Sequence, residues 1–496
     1  MNPASIASRP WVRAAGIALL AAMVSLLRFT PAFVLWRGLG IPAAASDPAL
    51  NRAADMLRQL QHPFAAGAGA NNRVIEWRLL FPVIGHALAL PPWLYLALPH
   101  LGCLLVLIFL SRLLLRRGLG EGEAFAATTL AATCSWFFVS TAWLGYFDSW
   151  YVLALLLAVF ASRRAMVMAV LAAPWIDERF VLALPLALVL RDADLAALAG
   201  PRASSRRWRE AGAGAAALLP WVVVRLGAYW SHRDAVTDAY VLNMAPGANA
   251  PFYAAGLWQG LRWAWAPVLV WLGLEWRRGR GTGALLGVAL GLTLTINLLA
   301  ANDLSRSAST AIPALILGIL LLHLRRADRL RPLLYGACAL NLVFPAKHVV
   351  SSWTEAISPL PVELDHARHP PPALDPDYYT HAGAALNDRG DPRGALELLD
   401  AALRLAPDQA EARADRAVAL FKLGRLPEAR AEADRAVALR PAFFEALYNR
   451  AIIRAAEADL GGARGDLEAA LRLAPANWSG RAQADRLRAT WAAGGN

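Results

Sequence analysis

Pro174-Trp175-Ile176-Asp177-Glu178-Arg179 interrupts an apolar run that extends from Ala165 to Leu190. Each half of the run is about ten residues, or ~15 Å of helix at ~1.5 Å per residue. The hydrocarbon core of a bilayer is ~30 Å thick, so neither half crosses it alone. Arginines stand on both sides, Arg163/Arg164 before the run and the group from Arg191 to Arg209 after it. Basic residues mark the cytoplasmic loops of membrane proteins, so this run enters and leaves on one side. The spacing predicts a pair of half-helices with its charged apex toward the outer face. Backbone broken at membrane depth is tolerated only where protein or a water-filled cavity covers it, and a helical bundle must therefore surround residues 165–190.

The flanking sequence has the composition for such a bundle. Hydrophobic residues make up 57% of the 496-residue chain and charged residues 17%, with mean hydropathy +0.39. Soluble domains carry about 45–50% apolar and about 25% charged residues. The net charge of +12 comes almost wholly from arginine, since Lys347 and Lys422 are the only lysines. These arginines lie in short clusters between apolar runs rather than in a stripe interleaved with aromatics, which argues against nucleic acid as a partner. Clusters at Arg9/Arg13, Arg112/Arg116/Arg117, Arg163/Arg164, Arg191–Arg209, Arg277/Arg278/Arg280 and Arg325–Arg331 all fall on one side if the intervening runs alternate. Those runs are 11–29, 93–111, 124–143, 149–162, 211–229, 258–275, 283–301, 309–324 and 332–349. The first resembles a signal peptide, with Ala43-Ala44-Ala45 as a cleavage-like site, but it ends at Arg28, well before those alanines, and reads as an uncleaved helix. Cys103, Cys134 and Cys338 lie within apolar runs, without disulfide or metal-ligand spacing, and read as small buried hydrophobes.

This topology gathers the polar variety outside: a long loop 30–92, Tyr146-Phe147-Asp148, the Asp177 apex, a loop 230–257 with His232, Arg233, Asp234 and Asp238, and Asn302-Asp303 with Arg306. The membrane domain is assigned to 1–350, an extended Pro- and His-containing linker to 351–375, and a repeat domain to 376–496. Pro407, Pro441 and Pro475 recur every 34 residues, as do Ala395/Ala429/Ala463 and Ala402/Ala436/Ala470. Gly383, Gly390 and Gly424 fall at turn or close-packing positions. A 34-residue period in Ala-rich helical sequence is the mark of tetratricopeptide (TPR) repeats, so the fold class is all-α: a polytopic transmembrane bundle followed by three TPRs and a capping helix. The groove made by the first helices passes Asn387, Phe421 and Tyr448, which either line a ligand site or merely pack.

The site candidates have two readings each. Asp47, before Pro48, is an N-cap with proline at the first helical position, or a general base that takes the proton of an acceptor hydroxyl. Asp55, two turns on, reads as a solvated residue. Arg73, Glu76 and Arg78 form a surface salt bridge, or the arginines grip a lipid-linked phosphate. Arg78 is the stronger phosphate ligand, because the apolar Leu79-Leu80-Phe81-Pro82 after it would rest at the membrane interface. Asp177, Glu178 and Arg179 lie between apolar half-helices, where ionisable groups are expensive unless paired or wet. Asp303 and Arg306, at i and i+3, read the same way. His62 and His232 stand alone. No spacing supports a metal site, a Ser-His-Asp arrangement, a phosphate loop or a dinucleotide fingerprint.

An acidic residue in the first outer loop, an arginine-containing stretch before the second span, a half-helix pair and a C-terminal outer domain together resemble the GT-C superfamily of integral-membrane glycosyltransferases. With its repeats, the layout is similar to the transmembrane-and-TPR O-mannosyltransferases. The resemblance implies a polyprenyl-phosphate sugar as donor substrate, no cofactor, and Asp47 as base. The adjacent acidic pair of protein mannosyltransferases is absent, since Pro48 follows Asp47. It also implies a multi-pass protein of the bacterial cytoplasmic membrane, with the N-terminus inside, the repeats periplasmic, and a protein or glycan partner on the repeats. Two alternatives remain. One is an enzyme like the O-antigen ligases or polymerases, with Arg233 as its late-loop arginine. The other is a non-catalytic membrane anchor that displays the repeats as a scaffold.

Overall fold

The computed structural model describes residues 10–30, 48–64, 77–199, 204–231, 250–277, 281–299, 303–325, 327–350, 353–368, 376–475, 478 and 480–493. They form two compact units: residues 48–51 and the described residues from Arg368 onward belong to the second, and the others to the first.

The first unit is built from α1 (Pro10–Arg28), α2 (Pro48–Gln61), α3 (Leu80–Ala87), α4 (Pro92–Arg116), α5 (Glu121–Ala132), α6 (Ser135–Ala142), α7 (Asp148–Phe160), α8 (Arg163–Ala172), α9 (Arg179–Ala199), α10 (Ser204–Ser231), α11 (Ala250–Leu261), α12 (Trp265–Arg277), α13 (Gly281–Leu299), α14 (Leu304–Arg325) and α15 (Ala327–Val343). A helix apolar all round belongs in a core, and α14 is such a helix: Ile312 to Leu322 are all buried, with α7, α9, α12 and α15 packed around it. Among the described residues three helices, α1, α4 and α14, are long and apolar enough to cross a membrane, and α5 and α6 together form a fourth candidate bent by 61°.

The nine predicted runs therefore do not become nine straight helices. The run 124–143 breaks at Thr133-Cys134 between α5 and α6, and 258–275 breaks at a 3₁₀ turn over Arg262–Ala264, where Arg262 has φ 52°. The run 332–349 stops at Val343, and its end pairs instead as a strand. Apolarity alone marks burial and is blind to these backbone breaks. The half-helix pair is also uneven. Its first arm is the ten-residue α8, but α9 runs 21 residues, past Leu190 to Ala199, because Pro185 is accommodated within it.

Two strands depart from the all-α expectation. β1 (Lys347–Val350) pairs antiparallel with β2 (Trp353–Ala356), in register Lys347↔Ala356 and Val350↔Trp353. This hairpin and α16 (Leu360–Arg368) occupy much of the segment expected to be an extended linker. Val349 holds β1 in place, buried with Leu298 and Leu304. Glycine sets the approach of α11 to the same region: a Cβ on Gly256 would lie 2.3 Å from the Leu304 Cβ, and one on Gly260 2.2 Å from that of Ala308.

The second unit contains α17 (Pro376–Asp388), α18 (Pro392–Leu405), α19 (Ala410–Lys422), α20 (Leu426–Leu439), α21 (Phe444–Ala456), α22 (Leu460–Leu473) and α23 (Arg481–Ala493). These are three antiparallel pairs and a final helix. Ala395, Ala402, Ala429, Ala436, Ala463 and Ala470 are all fully buried where second helices meet their neighbours. The turn within each pair needs a left-handed residue, which Gly390 (φ 82°), Gly424 (φ 74°) and Ala458 (φ 64°) supply at 34-residue intervals.

Candidate active site: a buried ionic centre

The apex between α8 and α9 is the hub of a charged centre in the first unit. Arg179 opens α9 and Arg306 lies in the first turn of α14, so both cations sit at the positive ends of helix dipoles. Each therefore needs more than one anion. Arg179 donates from Nε to Asp177 Oδ1 (2.9 Å) and from NH2 to Asp177 Oδ2 (2.6 Å) and Asp148 Oδ1 (2.7 Å). Arg306 donates from Nε to both Asp148 oxygens (3.0 Å each) and from NH1 to Asp303 Oδ2 (3.0 Å). Arg78, in the turn before α3, forms a two-pronged pair with Glu178, at 3.0 Å from Nε and 2.7 Å from NH2, with NH1 3.6 Å from Asp177. Tyr151 and Tyr146 present ring faces to Arg179 and Arg306, at 5.1 and 4.5 Å.

Burial alone would raise the Asp177 carboxyl, but Arg179, then Arg78 and Arg306, hold it well below the usual carboxylate range. At Asp303, burial is likewise outweighed, by His348 and Arg306, and its carboxyl is also held low. Burial would lower Arg78, but Asp177 and Glu178 hold it above its ordinary value. Arg52, on α2, is different. Burial, then Arg78, lowers it to about 10. Among the described residues its contacts are the Gly145 carbonyl (3.3 Å) and the Tyr146 ring face (5.4 Å), and no carboxylate pairs with it. Arg52, Arg78 and Asp177 line a cavity of about 10 Å³ closed by Met56, Phe81, Pro82, Phe147 and Ile176, room for about one water.

The structure thus brings together Arg78, Asp177, Glu178, Arg179, Asp303 and Arg306 from three separate stretches of chain. Asp47 and Arg73 lie outside the described residues, as do His232 and Arg233. Two expectations change. Arg78 does form a salt bridge, but a part-buried one whose partner is Glu178, which occupies its fork. Asp55 is not solvated: it is buried at 6% exposure and paired with Arg58, because α2 turns that face inward. Sequence reasoning placed Tyr146 and Asp148 on the outer face without giving them a role, and gave none to Arg52, Tyr151 or His348. Asp148 carried a signal, an acid opening an apolar helix. His348 carried none, being placed by the hairpin. Its Nε2 is 3.3 Å from Asp303 Oδ2 and its Nδ1 3.0 Å from Ser305 Oγ. Asp, His and Ser thus meet here although their spacing gave no such indication. Ser305 is fully buried and its Oγ also accepts the Val349 N–H (3.1 Å), so this chain fixes the hairpin rather than offering a nucleophile.

Asn387, Phe421 and Tyr448 lie on the first helices of the second unit. Asn387 is buried and donates to the Asp415 carbonyl at 2.8 Å, while the Tyr448 ring packs edge-on against Trp478 at 4.9 Å.

No curated protein matches the sequence. Three solved structures are among those similar to it. The first TPR of Spaghetti (RPAP3), bound to the HSP90 peptide SRMEEVD, is 22% identical and covers 24% of this chain and 93% of its own, with a TM-score of 0.22. The first TPR domain of the human RPAP3 protein, determined by NMR, is 22% identical over 25% of this chain and 98% of its own, also at 0.22. The TPR2AB domain of yeast Sti1, in complex with pHSP90, is 15% identical over 66% of this chain and 99% of its own, again at 0.22. The family model for the tetratricopeptide repeat matches residues 386–451. With that match and the 34-residue pairing of α17 to α22, the C-terminal unit is a tetratricopeptide-repeat array.

Proposed function

We propose that the protein is a membrane glycosyltransferase. It transfers a sugar from a polyprenyl-phosphate donor to an acceptor hydroxyl at the periplasmic face of a bacterial cytoplasmic membrane, and its repeats recruit the acceptor or a protein partner. The observation that carries this reading is Arg52, a cation without a carboxylate among the described residues, beside Arg78 and a small cavity. A phosphate is the anion that neighbouring arginines grip. Buried charge of this extent in an apolar bundle is costly to maintain, and by default suggests function.

The carboxylates that arginine holds ionised are weak proton acceptors, because a useful base titrates near the working pH. The base is therefore assigned to Asp47, one residue before the helix that carries Arg52. Asp47 takes the proton of the acceptor hydroxyl as its oxygen bonds to the anomeric carbon. The bond from that carbon to the phosphate oxygen breaks, and the polyprenyl phosphate leaves with its charge held by Arg52 and, through its remaining N–H groups, Arg78. Asp177 and Glu178 set the position of Arg78.

Turnover and binding of a polyprenyl-phosphate hexose by the purified full chain test the scheme. Asp47→Asn is expected to cut turnover about 100-fold or more while leaving donor binding intact. Arg52→Ala is expected to weaken donor binding roughly tenfold or more. Unchanged turnover in Asp47→Asn would remove the base and turn the reading toward a non-catalytic scaffold. That second reading draws on the charge balance of the centre, in which Arg52, Arg78, Arg179 and Arg306 match Asp148, Asp177, Glu178 and Asp303 in number.

A further inference from the structure

The second unit carries as many basic as acidic residues, yet it distributes them unevenly. Where second helices meet first helices, carboxylates are matched with arginine: Arg413 with Glu432 (2.9 Å), Arg416 with Asp400 (2.7 Å), and Arg450 with Asp466 (2.7 Å twice). The first helices differ. The 34-residue period puts Asp377, Glu411 and Glu445 at the same position of α17, α19 and α21, which pack side by side. Asp388 and Asp415 lie on the same stack and have no cationic partner among the described residues. Glu411 has one, a half-exposed pair with Arg440. Burial, then Asp388, Glu411 and Glu445, pushes the Asp415 carboxyl up to about 7, the behaviour of an anion crowded by others.

A second observation points to a ligand. Asn387 is only 2% exposed and its Nδ2 is spent on the Asp415 carbonyl, but its Oδ1 has no donor. A buried acceptor left without a donor is costly. It precedes Asp388 and bonds the backbone of Asp415, the Lys422 ammonium donates to its main-chain carbonyl, and Phe421, 34 residues on, takes the same position of the next first helix.

We infer that the face formed by α17, α19 and α21 binds a polypeptide segment rich in arginine or lysine, whose N–H groups satisfy Asn387 Oδ1 and whose cations face Asp388, Glu411, Asp415 and Glu445. Guanidinium and ammonium supply donors and charge together. This names the chemistry of the partner in the reading that the repeats recruit one, and it stands or falls apart from the transferase reaction.

The test measures binding of two short labelled peptides to the detergent-solubilised full chain. One alternates arginine and glycine, the other glutamate and glycine. The chain is +12 overall, so diffuse attraction favours the acidic peptide, and a preference for the basic one reports this face. The basic peptide is expected to bind at least tenfold more tightly than the acidic one. The double variant Glu411→Gln/Glu445→Gln, at partly exposed positions, should lose at least tenfold of that affinity, while Glu397→Gln on α18 leaves it unchanged. Equal binding, a preference for the acidic peptide, or a double variant that binds like the parent, with its helix content intact by circular dichroism, overturns the inference. Binding that follows the expectation in a chain inactive as a transferase would defeat only the transferase reading.

Discussion

Asp148 shows how far single charges are committed in this protein. Both of its oxygens are taken, by Arg179 and by Arg306, and its side chain is wholly buried. Replacing one member of such a cluster leaves the others as unpaired buried charge, which is strongly destabilising. Asp148→Leu is therefore expected to cost about 3–5 kcal/mol, read as a lower midpoint in thermal unfolding of the solubilised protein. An unchanged midpoint would mean that water reaches Arg179 and Arg306. Asp415 gives a residue-scale prediction of opposite sign. The folded protein keeps a proton on this carboxyl up to about pH 7, whereas an unfolded chain releases it near pH 4. Its contribution to stability is thus full below about pH 4 and lost as pH rises through 7. Asp415→Asn should make the melting of the repeat unit less dependent on pH between about 5 and 8, and should stabilise it at pH 8 by roughly 1–3 kcal/mol. A variant with the parental pH profile would show that the neighbouring acids do not act on this group.

At the scale of elements, the turn between paired helices decides how cleanly each repeat closes. Gly390 and Gly424 take left-handed backbone without penalty, but Ala458 adopts φ 64° with a Cβ in place. Left-handed backbone costs an L-residue about 1–2 kcal/mol. Ala458→Gly is accordingly expected to raise the stability of the third repeat by about 1 kcal/mol, while Gly424→Ala lowers that of the second by a similar amount. Chemical denaturation followed by circular dichroism compares the two, and a destabilising Ala458→Gly would contradict the strained turn. The break at Arg262 belongs to the same scale. Its guanidinium donates to the carbonyls of Thr133, Asn341 and Phe344 at the ends of α5 and α15, at 2.5, 2.9 and 3.0 Å. Those helix ends leave carbonyls without partners, and one arginine joins them, so the apolar run 258–275 is interrupted where a polar tie is needed.

For the whole molecule, the arrangement of arginine clusters leads to a definite expectation about sidedness. A reporter that works only after export, fused after Trp491, should be active, and a reporter that works only in the cytoplasm should be active when inserted at Ser204. Cytoplasmic activity at Trp491 would overturn this topology and with it the periplasmic reaction. The repeat array itself was legible in the sequence. Its period of 34 residues follows from local rules, with small residues where helices touch and turn formers between them, and each repeat contacts mainly its neighbours. The half-helix interruption at 174–179 was legible for a similar reason, since proline and three charges together cannot continue an apolar helix.

The ionic centre was legible only in pieces. Asp177, Glu178, Arg179, Asp303 and Arg306 stood out because ionisable groups are rare in apolar surroundings, and rarity can be read from sequence. Which cation meets which anion could not be read, because the partners of Arg78 and Asp148 lie far along the chain and depend on how α3, α7, α9 and α14 converge. The same holds for Arg52, whose lack of a carboxylate among the described residues is a property of its surroundings rather than of its neighbours in sequence. His348 became part of the centre through two strands that a run of apolar residues concealed. The sequence by itself determined composition, period and the points where helices must break, since these are set by residues a few positions apart. Tertiary structure alone decided the pairing of charges, because electrostatic energy depends on distance in space and on burial, and neither is fixed until the helices have packed.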